Sequence, residues 1–264
     1  MKIGFIGCGN MGGAIARAVL KNTQMKVYIS DFFVEKAEAF AKETGAIATD
    51  NYTIAKECDF IFLAVKPANF PSTLEPLTEA FIKNRDSVIV TIAAGLSLEK
   101  VGAMVGSEHP IIRIMPNTPV LLGKGMITWC KNALVSDEAS ERFIEILKFA
   151  GSLDQIDEKL IDAASAVAGC GPAFVYMFIE ALADGAVECG LPRDKAMAYA
   201  AETLIGASEM VLKTGKHPGL LKDEVCSPGG STIEGVKALE DGKFRAATAS
   251  AVIAAYEKTK KLGK

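Results

Sequence analysis

Along the first half of the chain, short unbroken apolar runs alternate with longer stretches in which apolar residues recur every three or four positions. The runs are KIGFIG (2–7), KVYISD (26–31), DFIFLAV (59–65), SVIVTIA (87–93) and PIIRIM (110–115). They are rich in Ile, Val and Phe and show little polar alternation, the pattern of strands covered on both faces. Helix-length segments lie between them at 11–22, 33–44, 68–83 and 97–105. Strands that alternate with helices predict βαβ crossovers and a largely parallel sheet. GMITWC (125–130), a helix near 137–149 and SLDQID (152–157) extend it by a closing strand–helix–strand unit.

From about residue 159 the strand pattern stops. GPAFVYMFIEALADGAVECG (171–190) places Phe174, Phe178, Leu182 and Ala186 on one stripe, with Pro172 suited to a first helical turn. Residues 191–215 repeat the plan and end at Gly215, a C-terminal stop. The last predicted helix, 243–262, contains AATASAVIAAY, small or apolar on almost every face. Such a helix needs cover all round, and a short helical tail supplies little. A helical core shared by two copies is therefore expected, with burial among the chain's own helices as the alternative. The change of pattern divides the chain into residues 1–157 and 158–264.

Composition narrows the classes. The chain has 264 residues, 50% hydrophobic and 23% charged, with a net charge of −3. These values are ordinary for a folded domain and give no support for a nucleic-acid partner. The one basic cluster, KTKKLGK (258–264), reads as the dipole-compensating end of the last helix. Six cysteines are scattered without a C-x-x-C pair, and there are only two histidines, so no metal site or disulfide framework is expected. Reduced thiols, no apolar run of membrane-spanning length and no signal-peptide apolar region give the expectation of a cytoplasmic protein without a membrane partner.

Chemistry first appears in FIGCGNMGGA. Gly7, Gly9 and Gly12 form a G-x-G-x-x-G loop directly after the first strand, at the opening of the first helix. Gly7 permits the tight turn, Gly9 lets the backbone approach a pyrophosphate, and Gly12 allows close helix–strand packing. The second strand ends at Asp31, where an acid accepts hydrogen bonds from the adenosine ribose and repels a 2′-phosphate. No arginine stands nearby, so NADH is favoured over NADPH. A turn or capping role before the 33–44 helix fits the same aspartate. AVKP (64–67), AAG (93–95) and MPNTP (115–119) follow buried strands and should rim the cofactor crevice. Lys66 has two readings, a contact to phosphate, ribose or substrate, or a side chain extended into solvent.

An obvious proton-transfer group is missing. His109 and His217 each precede a proline and read as surface or turn residues. That scarcity suits reduction of a C=N bond, where a protonated imine arrives already electrophilic and the protein chiefly binds and orients. A second glycine-led helix start, CSPGGSTIEG (226–235), then gains interest. Ser231 and Glu234 form a capping-box pattern behind Gly229 and Gly230. The N–H groups of such a helix start make an anion site sized for a carboxylate, with the Thr232 hydroxyl beside it. A capped turn without a ligand is the alternative.

Over essentially its whole length the chain resembles pyrroline-5-carboxylate reductase. The resemblance rests on FIGCGNMGGAI, FLAVKP, AAG, MPNTP, AVAGCGPAFVYMFIEALADGAVECGLPR and VCSPGGSTIEGVKALE. It implies NAD(P)H-dependent reduction of 1-pyrroline-5-carboxylate to L-proline. The implied fold is α/β, an N-terminal Rossmann-like, doubly wound, mostly parallel sheet followed by an all-helical dimerisation domain. Dimers of the family often assemble into decamers, and a composite site closed by helices of the dimer is expected. Carried over by position, Gly7, Cys8, Gly9, Asn10 and Met11 would hold the pyrophosphate. Asn51, Ala64, Val65, Lys66 and Pro67 would contact the cofactor, with Asp31 by the ribose and Ala93, Ala94 and Gly95 near the nicotinamide. Backbone N–H groups around Gly230, Ser231 and Thr232 would bind the substrate carboxylate, and the Thr232 hydroxyl would address the ring nitrogen. Glu158 matches a position lining the substrate site. Two departures stand out. Some relatives carry serine or arginine-containing segments at Asp31, and Glu224 replaces a neutral amide. Two other readings stay open at this point, a Rossmann reductase for another small cyclic imine acid or a 3-hydroxy acid, and a cofactor-sensing module without catalysis.

Overall fold

Each apolar run predicted as a strand forms one in the computed structural model, which describes residues 1–22, 24–106 and 108–262. The end of the predicted basic tail, Gly263 and Lys264, lies outside the described residues. The strands are β1 (Lys2–Ile6), β2 (Lys26–Ser30), β3 (Ile47–Ala48), β4 (Phe60–Leu63), β5 (Val88–Thr91), β6 (Ile111–Met115), β7 (Gly125–Lys131) and β8 (Gly151–Gln155). They make one sheet in the order β3-β2-β1-β4-β5-β6-β7-β8. Every neighbouring pair is parallel except β6 and β7, which run antiparallel with Arg113 opposite Cys130. The chain leaves β1 toward β2 and β3, then returns to β4 on β1's other side. That reversal opens a crevice at the carboxyl ends of β1 and β4, where folds of this kind bind ligands.

Alternation along the strands supplies two cores, one on each face of the sheet. Phe5, Phe60 and Phe62 point to one face with Ile15 and Val19 of α1 (Asn10–Leu20), Phe40 of α2 (Val34–Thr44) and Phe143 of α7 (Asp137–Leu147). Ile61, Leu63 and Ile89 point to the other, against Ile54 of α3 (Asn51–Glu57), Phe70 of α4 (Phe70–Leu74), Phe81 of α5 (Thr78–Lys83) and Val101 of α6 (Leu98–Val105). Phe5 and Phe62 stack with ring centroids 4.5 Å apart. The helix predicted over 68–83 is not continuous. A tight 3₁₀ turn at Pro67–Asn69 precedes α4, and another at Glu75–Leu77 separates α4 from α5. Pro67, Pro71 and Pro76 each lack the N–H that a continuing helix needs, which accounts for the breaks.

The chain separates into two compact units, one of Met1–Cys170 together with residues from Ala255 onward, the other of Gly171–Ala254. The first holds the sheet and α8 (Ile161–Ala168). The second contains α9 (Gly171–Glu188), α10 (Arg193–Thr214), α11 (Pro218–Val225), α12 (Ser231–Asp241) and the start of α13 (Phe244–Leu262). Gly215 ends α10 in the left-handed conformation at φ +65°, as its position predicts. The stripe on α9 is only partly covered: Ala183 is that helix's one buried residue, while Met177 and Tyr176 are exposed. Leu212 of α10 and Ile253 of α13 are likewise exposed. Residues Glu158–Glu188 are long and apolar enough, by length and composition, to cross a membrane, with only 11% of the apolar window buried. The stretch is interrupted by a turn at Gly169 and Cys170, so α8 and α9 are separate helices.

Candidate active site

The loop after β1 is shaped by steric limits at its glycines. Gly7 sits at φ +103°, and a Cβ there would lie 2.7 Å from the Ala64 carbonyl oxygen. A Cβ on Gly12 would lie 2.3 Å from the Gly7 oxygen and 2.7 Å from the Ala64 Cβ. These two glycines let β1, β4 and α1 meet. Gly9 differs, because a Cβ there meets nothing within 4 Å. It is the extended N-cap of α1, no side chain caps it, and no acid occupies the first turn. The helix start, with Asn10 and Met11, therefore presents unpaired N–H groups beside open space. Those features fit the pyrophosphate of a dinucleotide.

Asp31 follows β2 and is bonded back to that loop. Its Oδ2 accepts the Cys8 N–H at 2.9 Å and the Cys8 thiol at 3.3 Å, and its Oδ1 accepts the Phe33 N–H at 3.2 Å. Burial pushes the Asp31 carboxyl up, but the bonds from Cys8 and Phe33 outweigh it and hold the group below the usual carboxylate range. Burial, then the hydrogen bond and the charge of Asp31, push the Cys8 thiol up to about 11. Cys8 is thus a protonated donor at neutral pH. Asp31 makes the local turn and also lines the crevice.

A cavity of about 1040 Å³ fills that crevice. Of the predicted residues, Gly7, Asp31, Asn51 and Val65 line it. Asn51 opens α3 and accepts the Ser30 hydroxyl at 2.6 Å. Phe32, Glu38, Asp50 and Tyr52 line it too, and the sequence reading did not single them out. Cys8, Gly9, Asn10, Met11, Ala64, Lys66 and Pro67 are not among its lining residues. Lys66 is exposed and precedes the first 3₁₀ turn. Ala93, Ala94 and Gly95 follow β5, also away from the cavity. The Ala93 N–H is held by the Thr91 hydroxyl at 3.2 Å, and Gly95 turns the chain at φ +79°.

Glu158 is engaged beside this β5–α6 loop. Its Oε1 accepts the N–H of Leu98, the first residue of α6, at 2.7 Å and Nη1 of Arg113 at 3.3 Å. The other arm of Arg113, Nη2, reaches Asp162 Oδ1 at 2.7 Å. Arg113 itself is buried, and its Nε has no hydrogen-bond partner among the described residues. Neither Arg113 nor Asp162 was anticipated. Arg113 meets Glu158 and Asp162 only through the fold, across 45 and 49 residues of sequence.

In the second unit, Gly229 takes the left-handed conformation at φ +68°, and the Gly230 N–H closes a turn on the Ser227 carbonyl at 3.0 Å. Here the capping-box reading is corrected. Gly230, extended at φ −81° and ψ 169°, is the N-cap of α12, Ser231 is already helical, and no side chain caps the start. One residue of displacement removes the serine oxygen from the cap position. The N–H groups at Ser231 and Thr232 are consequently left without a capping acceptor. Elsewhere, Glu224 pairs with Lys216 at 2.7 Å. His217 caps α11 by accepting the Gly219 N–H at 3.1 Å. His109 is buried rather than at the surface, with Nε2 3.1 Å from the Phe81 carbonyl oxygen.

Comparison with known proteins points the same way. The sequence model described as "Pyrroline-5-carboxylate reductase dimerisation" matches residues 158–262, and that described as "NADP oxidoreductase coenzyme F420-dependent" matches residues 2–95. The chain is 42% identical over 267 residues to the pyrroline-5-carboxylate reductase of Escherichia coli (strain K12), covering 100% of this chain and 98% of that one. It is 38% identical over 271 residues to the enzyme of that name from Methanosarcina acetivorans, with 100% and 98% covered. The crystal structure of Plasmodium falciparum pyrroline carboxylate reductase with NADP bound superposes with a TM-score of 0.90 at 35% identity, covering 100% of this chain and 98% of that chain. With the glycine loop, the doubly wound sheet and the glycine-led α12 in place, these full-length similarities show that the chain belongs to the pyrroline-5-carboxylate reductase family.

Proposed function

We propose that this NAD(P)H-dependent oxidoreductase reduces the C=N bond of 1-pyrroline-5-carboxylate to L-proline with NADH as its preferred reductant. The observation that carries the reading is the pair of glycine-led helix starts, α1 and α12, each without a side-chain cap. One suits a pyrophosphate, the other a carboxylate. When bound, the reduced nicotinamide supplies the hydride.

The protein's own part is binding and orientation. Gly7, Cys8, Gly9, Asn10 and Met11 receive the pyrophosphate, with Asn51 and the Ala64, Val65, Lys66 and Pro67 segment along the cofactor. Ala93, Ala94 and Gly95 lie by the nicotinamide, and Glu158 fixes their loop through the Leu98 N–H. The N–H groups of Gly230, Ser231 and Thr232 take the substrate carboxylate, and the Thr232 hydroxyl bonds the ring nitrogen, which becomes more basic as hydride adds. The NADH preference rests on Asp31, whose carboxylate stays ionised in the crevice and opposes a 2′-phosphate.

Residues 1–157 serve cofactor binding and 158–264 self-association, a division supported by the dimerisation match that begins at 158. The exposed apolar side chains of α9, α10 and α13 support a homodimer, and a decamer of five dimers follows the family pattern. The proposed setting is the cytoplasm, in keeping with six free cysteines. Light scattering on the purified protein, alongside measurement of proline formed per cofactor oxidised, tests both halves of the reading. A monomer refutes the first, and cofactor oxidation without proline the second.

A further inference from the structure

We propose that Glu38 on α2 is a second cofactor-specificity residue, one that disfavours a 2′-phosphate independently of Asp31. The inference deepens the NADH reading above and rests on it. Three carboxylates line the crevice, Asp31, Glu38 and Asp50, and none of its lining residues is lysine or arginine. A 2′-phosphate adds a charge of about −1.5 to −2 at neutral pH, so a crevice with this lining opposes it.

The three acids are not equivalent. Asp31 is tied to Cys8 and Phe33. Asp50 caps α3, accepting the Thr53 N–H at 2.8 Å and its hydroxyl at 2.9 Å. Glu38 makes no hydrogen bond or ion pair among the described residues, and its side chain lines the cavity one helical turn beyond Val34, which lines it too. Lys36, whose Nζ lies 4.0 Å from Asp31 Oδ2, does not line the cavity. Its charge is thereby set against Asp31. Glu38 is also the acid that can be replaced without loosening the phosphate loop or a helix cap.

The test is calorimetric binding of ADP-ribose and 2′-phospho-ADP-ribose to the intact protein and three variants. The wild type should favour ADP-ribose. Glu38→Gln should shift the affinity ratio toward the phosphorylated ligand by about threefold, and Glu38→Lys by about tenfold or more. Glu35→Gln, one exposed acid away on the same helix and outside the cavity, should leave the ratio unchanged. The kcat/KM ratio for NADPH against NADH should follow the same order. An unchanged ratio in both Glu38 variants, with ADP-ribose still preferred by the wild type, overturns the role of Glu38 alone. An equal shift in Glu35→Gln does the same, because bulk charge then explains the effect. Wild-type preference for 2′-phospho-ADP-ribose overturns the NADH reading and this inference together.

Discussion

Asp31 Oδ2 accepts the Cys8 N–H at 2.9 Å, so an acid that lines the crevice also fastens the glycine loop proposed to hold the pyrophosphate. The two functions cannot be separated by substitution. Asp31→Asn removes the charge from a hydrogen bond worth about 1.5–3 kcal/mol. NADH affinity should fall by about tenfold, without an equal gain for NADPH, because both nucleotides use the loop. Titration of each cofactor by fluorescence checks this, and unchanged NADH affinity would contradict it.

The same bonds set a pH range. The folded Asp31 carboxyl lies below its unfolded value, so its contribution is present above the unfolded value and disappears as pH falls through the folded one. The Cys8 donor persists because its thiol lies up at about 11. NAD⁺ affinity should therefore be flat between about pH 6 and 9 and decline only below about pH 4. A midpoint near neutrality in the binding profile would show that Asp31 and Cys8 are not the groups holding the loop.

Gly9 and Gly12 should respond differently to alanine. Gly12→Ala forces a Cβ against the Gly7 oxygen, a backbone atom, and should destabilise the fold by about 1–3 kcal/mol. Gly9→Ala meets no protein atom and leaves an allowed backbone conformation, so thermal stability should hold while cofactor affinity falls. Calorimetric melting beside nucleotide titration separates the two. Equal losses of stability would refute the distinction.

Because Ser231 does not cap α12, Ser231→Ala should change stability by less than about 0.5 kcal/mol, against about 1 kcal/mol for loss of a true cap. Thr232→Ala should lower kcat by about tenfold or more, the scale of a hydrogen bond that strengthens in the transition state. Full turnover in Thr232→Ala would remove that hydroxyl from the chemistry.

Glu158→Gln keeps an acceptor for the Leu98 N–H but loses the charge facing Arg113. With about a third of the Glu158 side chain exposed, the expected loss is only about 1–2 kcal/mol. Arg113→Met should cost more, since it leaves two carboxylates without their shared cation. Chemical denaturation of both variants orders them, and a Glu158→Gln protein as stable as wild type would show that the Arg113 pair contributes little.

The sheet was legible because its strands are continuous apolar runs bounded by glycine, proline and helical periodicity. β3, with two residues, and α3, with seven, are too short to generate a period. The 68–83 segment shows apolar spacing suited to a helix, yet Pro71 and Pro76 within it and Pro67 just before it override that locally. At the site, the glycine loop and Asp31 could be read from position alone. The partners of Asp31 could not, since Cys8 meets it across 23 residues. Nothing local marks Arg113 within its strand run, because its partners Glu158 and Asp162 come from beyond the next two strands. In the sequence nothing separates Glu38 from Glu35 on the same helix, and only the cavity distinguishes them. The serine at 231 misled for a simpler reason. A capping pattern in sequence does not fix which residue is the cap, and Gly230 adopts the required extended conformation itself.

The central claim is tested most directly by steady-state kinetics with 1-pyrroline-5-carboxylate and each reduced cofactor, with proline quantified as product. The account predicts stoichiometric proline formation and a higher kcat/KM with NADH than with NADPH. Stronger turnover with NADPH would contradict the reading of the acidic crevice, and no proline with either cofactor would contradict the function itself.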